Sequence, residues 1–140
     1  MVTRVLFAGV RNAARTQVAE AWFKALACPT SASALSCGTS PAPAVDEQVR
    51  IAMIRAGVNV ASKPRLLTPL LLSSADVVVV IGPPVPALPV RADDEWAVDD
   101  PVGTSPDRIC EIGHQIEQRV RSLIVSRGWD PLGANMPPAG

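Results

Sequence analysis

The sequence predicts an α/β fold in which a parallel sheet is covered by helices on both faces. Apolar runs of strand length alternate along the chain with segments whose apolar residues recur at helical spacing. The run from Val77 to Ile81 is continuous and β-branched, which is typical of strands buried in a parallel sheet. With 140 residues, of which 48% are hydrophobic, the chain has the size and composition of one domain with a substantial core.

Two strands and two helices are predicted in the first half of the chain. Val5 to Ala8 suits a buried strand, and a helix is expected from about Ala14 to Leu26. A second strand is expected from Ala34 to Thr39, where a turn signal follows. Pro43 to Ala56 predicts a helix that ends at Gly57. The apolar face of that helix is formed by Val45, Val49, Ala52, Met53 and Ala56.

The next part of the chain predicts a short helix and two more strands. Thr68 and Pro69 have the residue types of an N-cap and a first helical position, and the strand Val77 to Ile81 follows. Closely spaced prolines exclude regular structure from Pro83 to Pro89. Glu95 to Val98 is expected to form a short strand.

The last predicted helix begins after Ser105, which can cap it, and ends near Gly128. Its apolar stripe consists of Ile109, Ile112, Ile116, Val120, Leu123 and Ile124. We therefore expect a single domain over residues 1–128 and a flexible C-terminal tail over residues 129–140.

Composition argues against several kinds of partner. The 13 basic residues balance 13 acidic ones, whereas a general nucleic-acid binder is basic overall, so no nucleic-acid partner is predicted. No stretch approaches the ~18 apolar residues of a membrane span, so we expect a cytoplasmic protein without a membrane partner. Cys28, Cys37 and Cys110 lack the spacing of metal ligands, and neither a metal nor a cofactor is predicted. The oligomeric state is left open.

The most informative stretch is the loop that joins the first strand to the first helix. This loop carries Arg11 and Arg15 and no acidic residue. A strand that turns into a helix directs backbone N–H groups and the positive end of the helix dipole towards one point. The loop therefore predicts an oxyanion site. The alternative is that the arginines pair with Asp99 and Asp100 and hold no ligand.

This stretch resembles the signature of the low-molecular-weight protein tyrosine phosphatases and the thioredoxin-coupled arsenate reductases. In their signature a strand is followed by Cys, five residues, Arg and Ser or Thr, and then by a helix that often continues Gln-x-Ala-Glu. Here five residues separate Gly9 from Arg15, and Thr16 precedes Gln-Val-Ala-Glu at residues 17–20. The resemblance extends to about residue 127, through the segments 36–42, 75–80 and 96–101.

The resemblance implies a three-layer α/β/α fold with a four-stranded parallel sheet, of the phosphotyrosine protein phosphatase I type. It also implies that a phosphate-binding loop (P-loop) is formed by Gly9, Val10, Arg11, Asn12, Ala13, Ala14, Arg15 and Thr16. Arg11 replaces a loop glycine of the family, and at a position with positive φ it would cost about 1–2 kcal/mol.

The nucleophile that the resemblance implies is missing. In the family a cysteine thiolate attacks the oxyanion, whereas Gly9 stands at that position and has no side chain. Ala14 stands where many arsenate reductases carry a second cysteine, and Gly82 lies near the place of their redox cysteine. Ordinary cysteine-based phosphatase or arsenate reductase activity is therefore not expected. Cys37 is an alternative nucleophile, although cysteine is more often a small buried hydrophobe.

Further residues match functional positions of the family. Asp100, directly before Pro101, matches its general acid, although an Asp-Pro pair also commonly starts a turn. Asp99 and Trp96 are expected at the rim of the pocket.

Some family members hold a potassium ion. Glu20 and Ser36 match two of its ligand positions, but Asn59 replaces an aspartate, so no metal site is predicted.

Three functions are compatible with these residues. The first is a phosphatase-like or arsenate-reductase-like pseudoenzyme that binds phosphate, sulfate, arsenate or a phosphorylated small molecule or protein through Gly9 to Arg15. The second is a repurposed enzyme in which Asp100 and the loop arginines act on an anionic small molecule. The third is an interaction module that recognises a phosphorylated partner.

Overall fold

A four-stranded parallel sheet organises the computed structural model, which describes residues 1–60, 62–88 and 92–131. The strands are β1 (Thr3–Gly9), β2 (Ala32–Gly38), β3 (Val77–Gly82) and β4 (Asp94–Ala97), and their order in the sheet is β2-β1-β3-β4. The helices are α1 (Arg15–Leu26), α2 (Glu47–Arg55), α3 (Pro69–Ser74) and α4 (Pro106–Arg127). The predicted α/β class and four-stranded parallel sheet are confirmed.

The two faces of the sheet bury alternate residues of the strands. Val5 and Phe7 of β1 point to one face and pack in a large apolar cluster with residues of α1, α2 and α4. Leu6 and Ala8 point to the other face, where a smaller cluster includes Leu72 of α3. This alternation follows from the two-residue period of a strand, and it places helices on both sides of the sheet as the sequence predicts.

The predicted helix ends are largely confirmed. The Ser105 hydroxyl accepts a hydrogen bond from the Arg108 N–H at 3.2 Å, and Thr68 caps α3 in the same way. Gly57 and Gly128 have φ of 98° and 71°, the left-handed conformation that favours glycine at the end of a helix.

The helix expected from Pro43 begins later in the structure. It starts at Glu47 because the Asp46 carboxylate caps it, accepting a hydrogen bond from the Val49 N–H at 3.0 Å. Residues 43–46 instead run beside the loop that follows β1. The other boundaries differ by one or two residues: β2 begins at Ala32 rather than Ala34, and β4 covers Asp94–Ala97 rather than Glu95 to Val98.

Two tryptophans lie deeper than the sequence predicts. Trp96 is 4% exposed and packs against Phe7 with ring centroids 5.6 Å apart, so its expected place at the pocket rim is wrong. The reason is the alternation of β4, which turns Trp96 inwards between exposed Glu95 and Ala97.

Trp129 belongs to the same large cluster, and its carbonyl accepts a hydrogen bond from the Cys28 N–H at 2.7 Å. The expected tail therefore does not begin at residue 129, and its residues 132–140 lie outside the described part of the chain, as does Pro89 of the predicted loop. Among the described residues, no helix has both the length and the apolar character needed to cross a bilayer.

Candidate functional site

The loop from Gly9 to Arg15 (hereafter the β1–α1 loop) leaves the carboxyl end of β1 at the centre of the sheet. Its carbonyl groups bond outwards to the chain that follows β2. The carbonyls of Gly9 and Val10 accept hydrogen bonds from Thr39 and Ser40, at 3.1 and 2.7 Å. Those of Arg11 and Ala13 accept from the N–H groups of Ala42 and Asp46, at 2.8 and 2.9 Å.

The N–H groups of the loop face the other way. In a planar trans peptide the C=O and the following N–H point in opposite directions, so outward carbonyls of Val10 and Ala13 turn the N–H groups of Arg11 and Ala14 inwards. Neither of these N–H groups has an acceptor among the described residues. The first turn of α1 continues the same surface, because Ala14 offers no side-chain cap and the turn contains no acidic residue.

The approach of the loop to β2 requires Gly38. A Cβ atom on Gly38 would overlap the carbonyl group of Val10 and lie 3.0 Å from the Asn12 nitrogen. Any larger residue would therefore push the loop away from the sheet.

Asn12 holds the loop in its curved shape. It has a φ of 51° and a buried side chain, and asparagine is one of the few residues that tolerate this conformation. Its Nδ2 donates to Thr16 Oγ1 at 2.8 Å, and its Oδ1 accepts from Gln17 Nε2 at 3.2 Å and from the Arg65 N–H at 2.8 Å. Arg11, by contrast, does not have positive φ, so the strain considered for that position does not arise.

Arg15 links the loop to two other strands of the sheet. Its Nη1 donates to the carbonyls of Pro83 and Val98, at 2.8 and 2.6 Å, just beyond β3 and β4. Partial burial lowers the pKa of Arg15, and the negative charges of Asp100 and Asp99 act in the opposite direction. The guanidinium remains a cation, because arginine does not lose its proton in proteins.

A cavity of about 630 Å³ opens over the β1–α1 loop. Its walls are formed by the loop, the segment before α2, the carboxyl end of β3 and the region after β4. The lining residues are Gly9, Val10, Arg11, Asn12, Ala13, Ala14, Arg15, Thr16, Ala42, Pro43, Ala44, Asp46, Ile81, Pro84, Asp100 and Val102. All eight residues predicted for the oxyanion-binding loop therefore line one cavity.

The two aspartates before Pro101 have different surroundings. Asp100 lines the cavity, and its Oδ1 accepts a hydrogen bond from the Val102 N–H at 3.0 Å. Asp99 does not line it and instead pairs with Arg108, Oδ2 to Nη2 at 2.6 Å. Arg11 lines the cavity with an exposed side chain that has no carboxylate partner among the described residues.

Position 9 carries no side chain that could react. A Cβ atom built on Gly9 would stand 3.0 Å from Thr16 Cγ2 and 3.6 Å from the Ile81 carbonyl oxygen. Cys37 is completely buried, does not line the cavity, and has a pKa raised to about 12, chiefly because burial disfavours the thiolate. The structure therefore does not support Cys37 as a relocated nucleophile.

The carboxylate of Glu20, in α1, is buried and has three side-chain donors. Ser36 donates to Oε1 at 2.6 Å, and both Lys24 Nζ and Ser62 Oγ lie 2.5 Å from Oε2. The Lys24 ammonium thus supplies a positive charge from the chain itself at the carboxylate for which the resemblance implies potassium, so the donor set does not fit that ion. The described residues contain no group of three or more His, Cys, Asp or Glu side chains that could hold a metal ion.

Comparisons with known proteins agree with one another. A family model described as low molecular weight phosphotyrosine protein phosphatase matches residues 4–83. A proposed arsenate reductase of Halobacterium salinarum is 33% identical over 128 residues, which covers 86% of this chain and 90% of that protein.

Among solved structures, an arsenate reductase of Archaeoglobus fulgidus has a TM-score of 0.77 and 31% identity, and the match covers 86% of this chain and 98% of that one. A thioredoxin-dependent arsenate reductase of Corynebacterium glutamicum has a TM-score of 0.72 and 30% identity, covering 89% of this chain and 61% of that one.

Proposed function

Because the chain belongs to the low molecular weight phosphotyrosine protein phosphatase family, we propose that it is a member that has lost the catalytic cysteine and binds an oxyanion or a phosphorylated ligand. The binding site is the β1–α1 loop, and Gly9 stands at the position of the lost nucleophile.

The orientation of the loop backbone carries this proposal. Four loop carbonyls bond outwards to the chain after β2, which leaves inward N–H groups beside the uncapped first turn of α1. Such a concave set of N–H donors, with the positive end of a helix dipole, stabilises an anion. Arg11 and Arg15 add positive charge around the same cavity. Two relatives are named as arsenate reductases, and arsenate is a tetrahedral oxyanion that such a site would accommodate.

Without a side chain at position 9 the site keeps its electrostatic complementarity and loses the covalent route. A thiolate would form the intermediate that divides the reaction into two steps, and Gly9 cannot form it. Cys37 does not replace it, because it is buried and stays protonated near neutral pH. Binding without turnover is the function that this arrangement supports best.

Isothermal titration calorimetry with phosphate, sulfate and arsenate tests the proposal. We expect saturable binding of at least one of these anions, and a loss of affinity of at least about tenfold in Arg15→Ala. Arg119→Ala is the matched control, because Arg119 is an exposed arginine of α4 away from the cavity. Thermal unfolding of each variant must show that it is folded at the temperature of the titration. Absence of binding by the wild-type protein, or equal affinity in Arg15→Ala, would refute the proposal.

A repurposed enzyme is the second candidate, and one observation favours it. Asp100 lines the same cavity as Arg11 and Arg15, which places a carboxylate and two cations around one ligand. This is a workable set for acid–base chemistry on an anionic small molecule. Turnover of a screened substrate that disappears in Asp100→Asn, with unchanged binding of that substrate, would establish this function in place of binding alone.

A further inference from the structure

The cavity is larger than an inorganic oxyanion needs. Its volume is about 630 Å³. A tetrahedral oxyanion has five heavy atoms, and one water molecule in the liquid takes about 30 Å³, so such an anion fills on the order of 150 Å³. Cavities of roughly 300–1,000 Å³ are those that hold small organic ligands. The remaining space therefore has room for a larger molecule of which the anion is one end.

The cavity offers no aromatic side chain on which a ring of that molecule could stack. The chain has no tyrosine, and its two phenylalanines and three tryptophans are all buried in the large apolar cluster. None of them lines the cavity. The apolar walls are instead aliphatic and small, formed by Val10, Ala42, Pro43, Ala44, Pro84 and Val102. Such walls suit a short aliphatic body, and they give an aromatic ring no partner for π–π stacking.

The charged side chains that line the cavity differ in whether they already have hydrogen-bond partners within the protein. Arg15 donates to two backbone carbonyls, Asp46 caps α2, and Asp100 accepts from Val102. The Arg11 side chain is exposed, lines the cavity and has no carboxylate or other hydrogen-bond partner among the described residues. It is therefore the cation with most capacity left for a ligand, and its planar guanidinium matches a carboxylate or a phosphate.

We propose that the ligand is a phosphorylated aliphatic molecule with a second anionic group, and that Arg11 binds this second group. The phosphate lies against the N–H groups of the β1–α1 loop, the short aliphatic body lies along the proline and alanine walls, and the second anion reaches Arg11. The inference rests on the proposed function of the loop. The loop binds the phosphate, and the inference describes the rest of the molecule that carries this phosphate.

Competition calorimetry with matched phosphate compounds tests the inference. The probes are inorganic phosphate, glycerol 3-phosphate, 3-phosphoglycerate, phosphoethanolamine and phenyl phosphate. Glycerol 3-phosphate and 3-phosphoglycerate differ at one carbon, where the second compound carries a carboxylate. We expect 3-phosphoglycerate to bind at least about tenfold more tightly than glycerol 3-phosphate. Phenyl phosphate should gain nothing from its ring relative to glycerol 3-phosphate.

The variant Arg11→Gln identifies the residue responsible. It should reduce the ratio of the two affinities to near one, whereas Arg119→Gln should leave that ratio unchanged. A ratio near one in the wild-type protein, a ratio unaffected by Arg11→Gln, or a preference for phosphoethanolamine or phenyl phosphate would overturn the inference. If inorganic phosphate binds and no organic phosphate binds more tightly, the inference fails while the proposed function stands. If none of the five compounds binds but sulfate or arsenate does, the inference again fails alone. If none of the five compounds binds and neither sulfate nor arsenate binds, the proposed function itself fails.

Discussion

The methyl group of Thr16 lies in the space that a side chain on Gly9 would enter. Thr16 Cγ2 is 3.0 Å from the position of a Cβ atom on Gly9, which is tighter than an ordinary van der Waals contact. The Thr16 hydroxyl accepts a hydrogen bond from Asn12 Nδ2 at 2.8 Å, so the side chain is not free to turn away. The two positions are thus complementary in shape, a glycine beside a threonine.

Restoring a thiol at position 9 should therefore work better with a smaller neighbour. Gly9→Cys should lower the free energy of unfolding by about 1–3 kcal/mol, as overpacking does, and Thr16→Ser should recover part of it. Serine keeps the hydroxyl that Asn12 needs and removes the methyl group. We expect Gly9→Cys/Thr16→Ser to hydrolyse para-nitrophenyl phosphate faster than Gly9→Cys alone.

The matched control for that experiment is Gly9→Ser/Thr16→Ser, which supplies a hydroxyl instead of a thiolate at the same position. Alkylation should abolish the hydrolysis by the cysteine variant. Equal rates in the single and double cysteine variants would show that the methyl contact is unimportant. Hydrolysis by the serine control would show that a thiol is not what the pocket lacks.

The buried carboxylate of Glu20 should make stability depend on acid pH. Burial alone would raise its pKa, but hydrogen bonds from Lys24, Ser36 and Ser62 bring it below the usual 4.5. With a folded pKa below the unfolded value, the stabilisation is fully present above about pH 4.5 and is lost as pH falls through the folded pKa. Urea unfolding between pH 7 and pH 3 should show this decline.

Glu20→Gln should flatten that dependence. The amide does not titrate, and the variant should be less stable at pH 7 by about 1–3 kcal/mol, because it gives up hydrogen bonds to a charged group. Glu95→Gln is the control, because Glu95 is exposed on β4. An identical pH profile in wild-type and Glu20→Gln would show that another group dominates acid unfolding.

Thiol labelling should distinguish Cys37 from Cys110. Cys37 is completely buried, and burial raises its pKa to about 12, so little thiolate is present at pH 8 and reagents have no access to it. Cys110 is exposed. Peptide mass spectrometry after a short treatment with iodoacetamide should find Cys110 labelled and Cys37 at least about 100-fold less labelled, because Cys37 is inaccessible and protonated. In 8 M urea all three cysteines should react. Rapid labelling of native Cys37 would return it as a candidate nucleophile.

Trp129 should contribute to stability despite its position after the last helix. Its ring lies 5.8 Å from that of Phe23 in an edge arrangement, and its carbonyl bonds to the Cys28 N–H. Trp129→Ala should cost about 3–5 kcal/mol in urea unfolding, as other buried tryptophans do. Val125→Ala is the control, because Val125 is exposed on α4 and should change stability by less than about 0.5 kcal/mol. A small effect at Trp129 would support the boundary first expected at residue 128.

Local patterns in the sequence were sufficient for the elements of the fold. The β-branched run at Val77 predicts β3, and Ser105 with Pro106 predicts the start of α4, because both signals lie within the element that they specify. The start of α2 does not follow from the apolar pattern, because Val45 extends the apolar face beyond Asp46, which is the actual cap. The position of Trp96 just before Asp99 and Asp100 suggests the pocket rim, but the alternation of β4 turns its side chain into the core.

The residues that line the candidate site could be predicted from the sequence, but most of the hydrogen bonds that hold them in place could not. The β1–α1 loop and Asp100 follow from spacing and resemblance, and they do line one cavity. The partners of Arg15 are backbone carbonyls 68 and 83 positions away, which no local pattern encodes. The role of Asn12 had a signal, since asparagine tolerates positive φ, but its bond to the Arg65 N–H depends on tertiary packing.

Arg15 ties together the chain segments that follow β3 and β4, and this gives it two separate reasons to be retained in evolution. Loss of its side chain would leave the carbonyls of Pro83 and Val98 without their guanidinium donor, whether or not an anion ever occupies the cavity. Selection for folding alone would therefore keep this arginine in a descendant that binds nothing. The Arg11 side chain makes no such structural hydrogen bond. Residue 11 can therefore change without loss of folding, and we expect relatives that bind a different ligand to differ there.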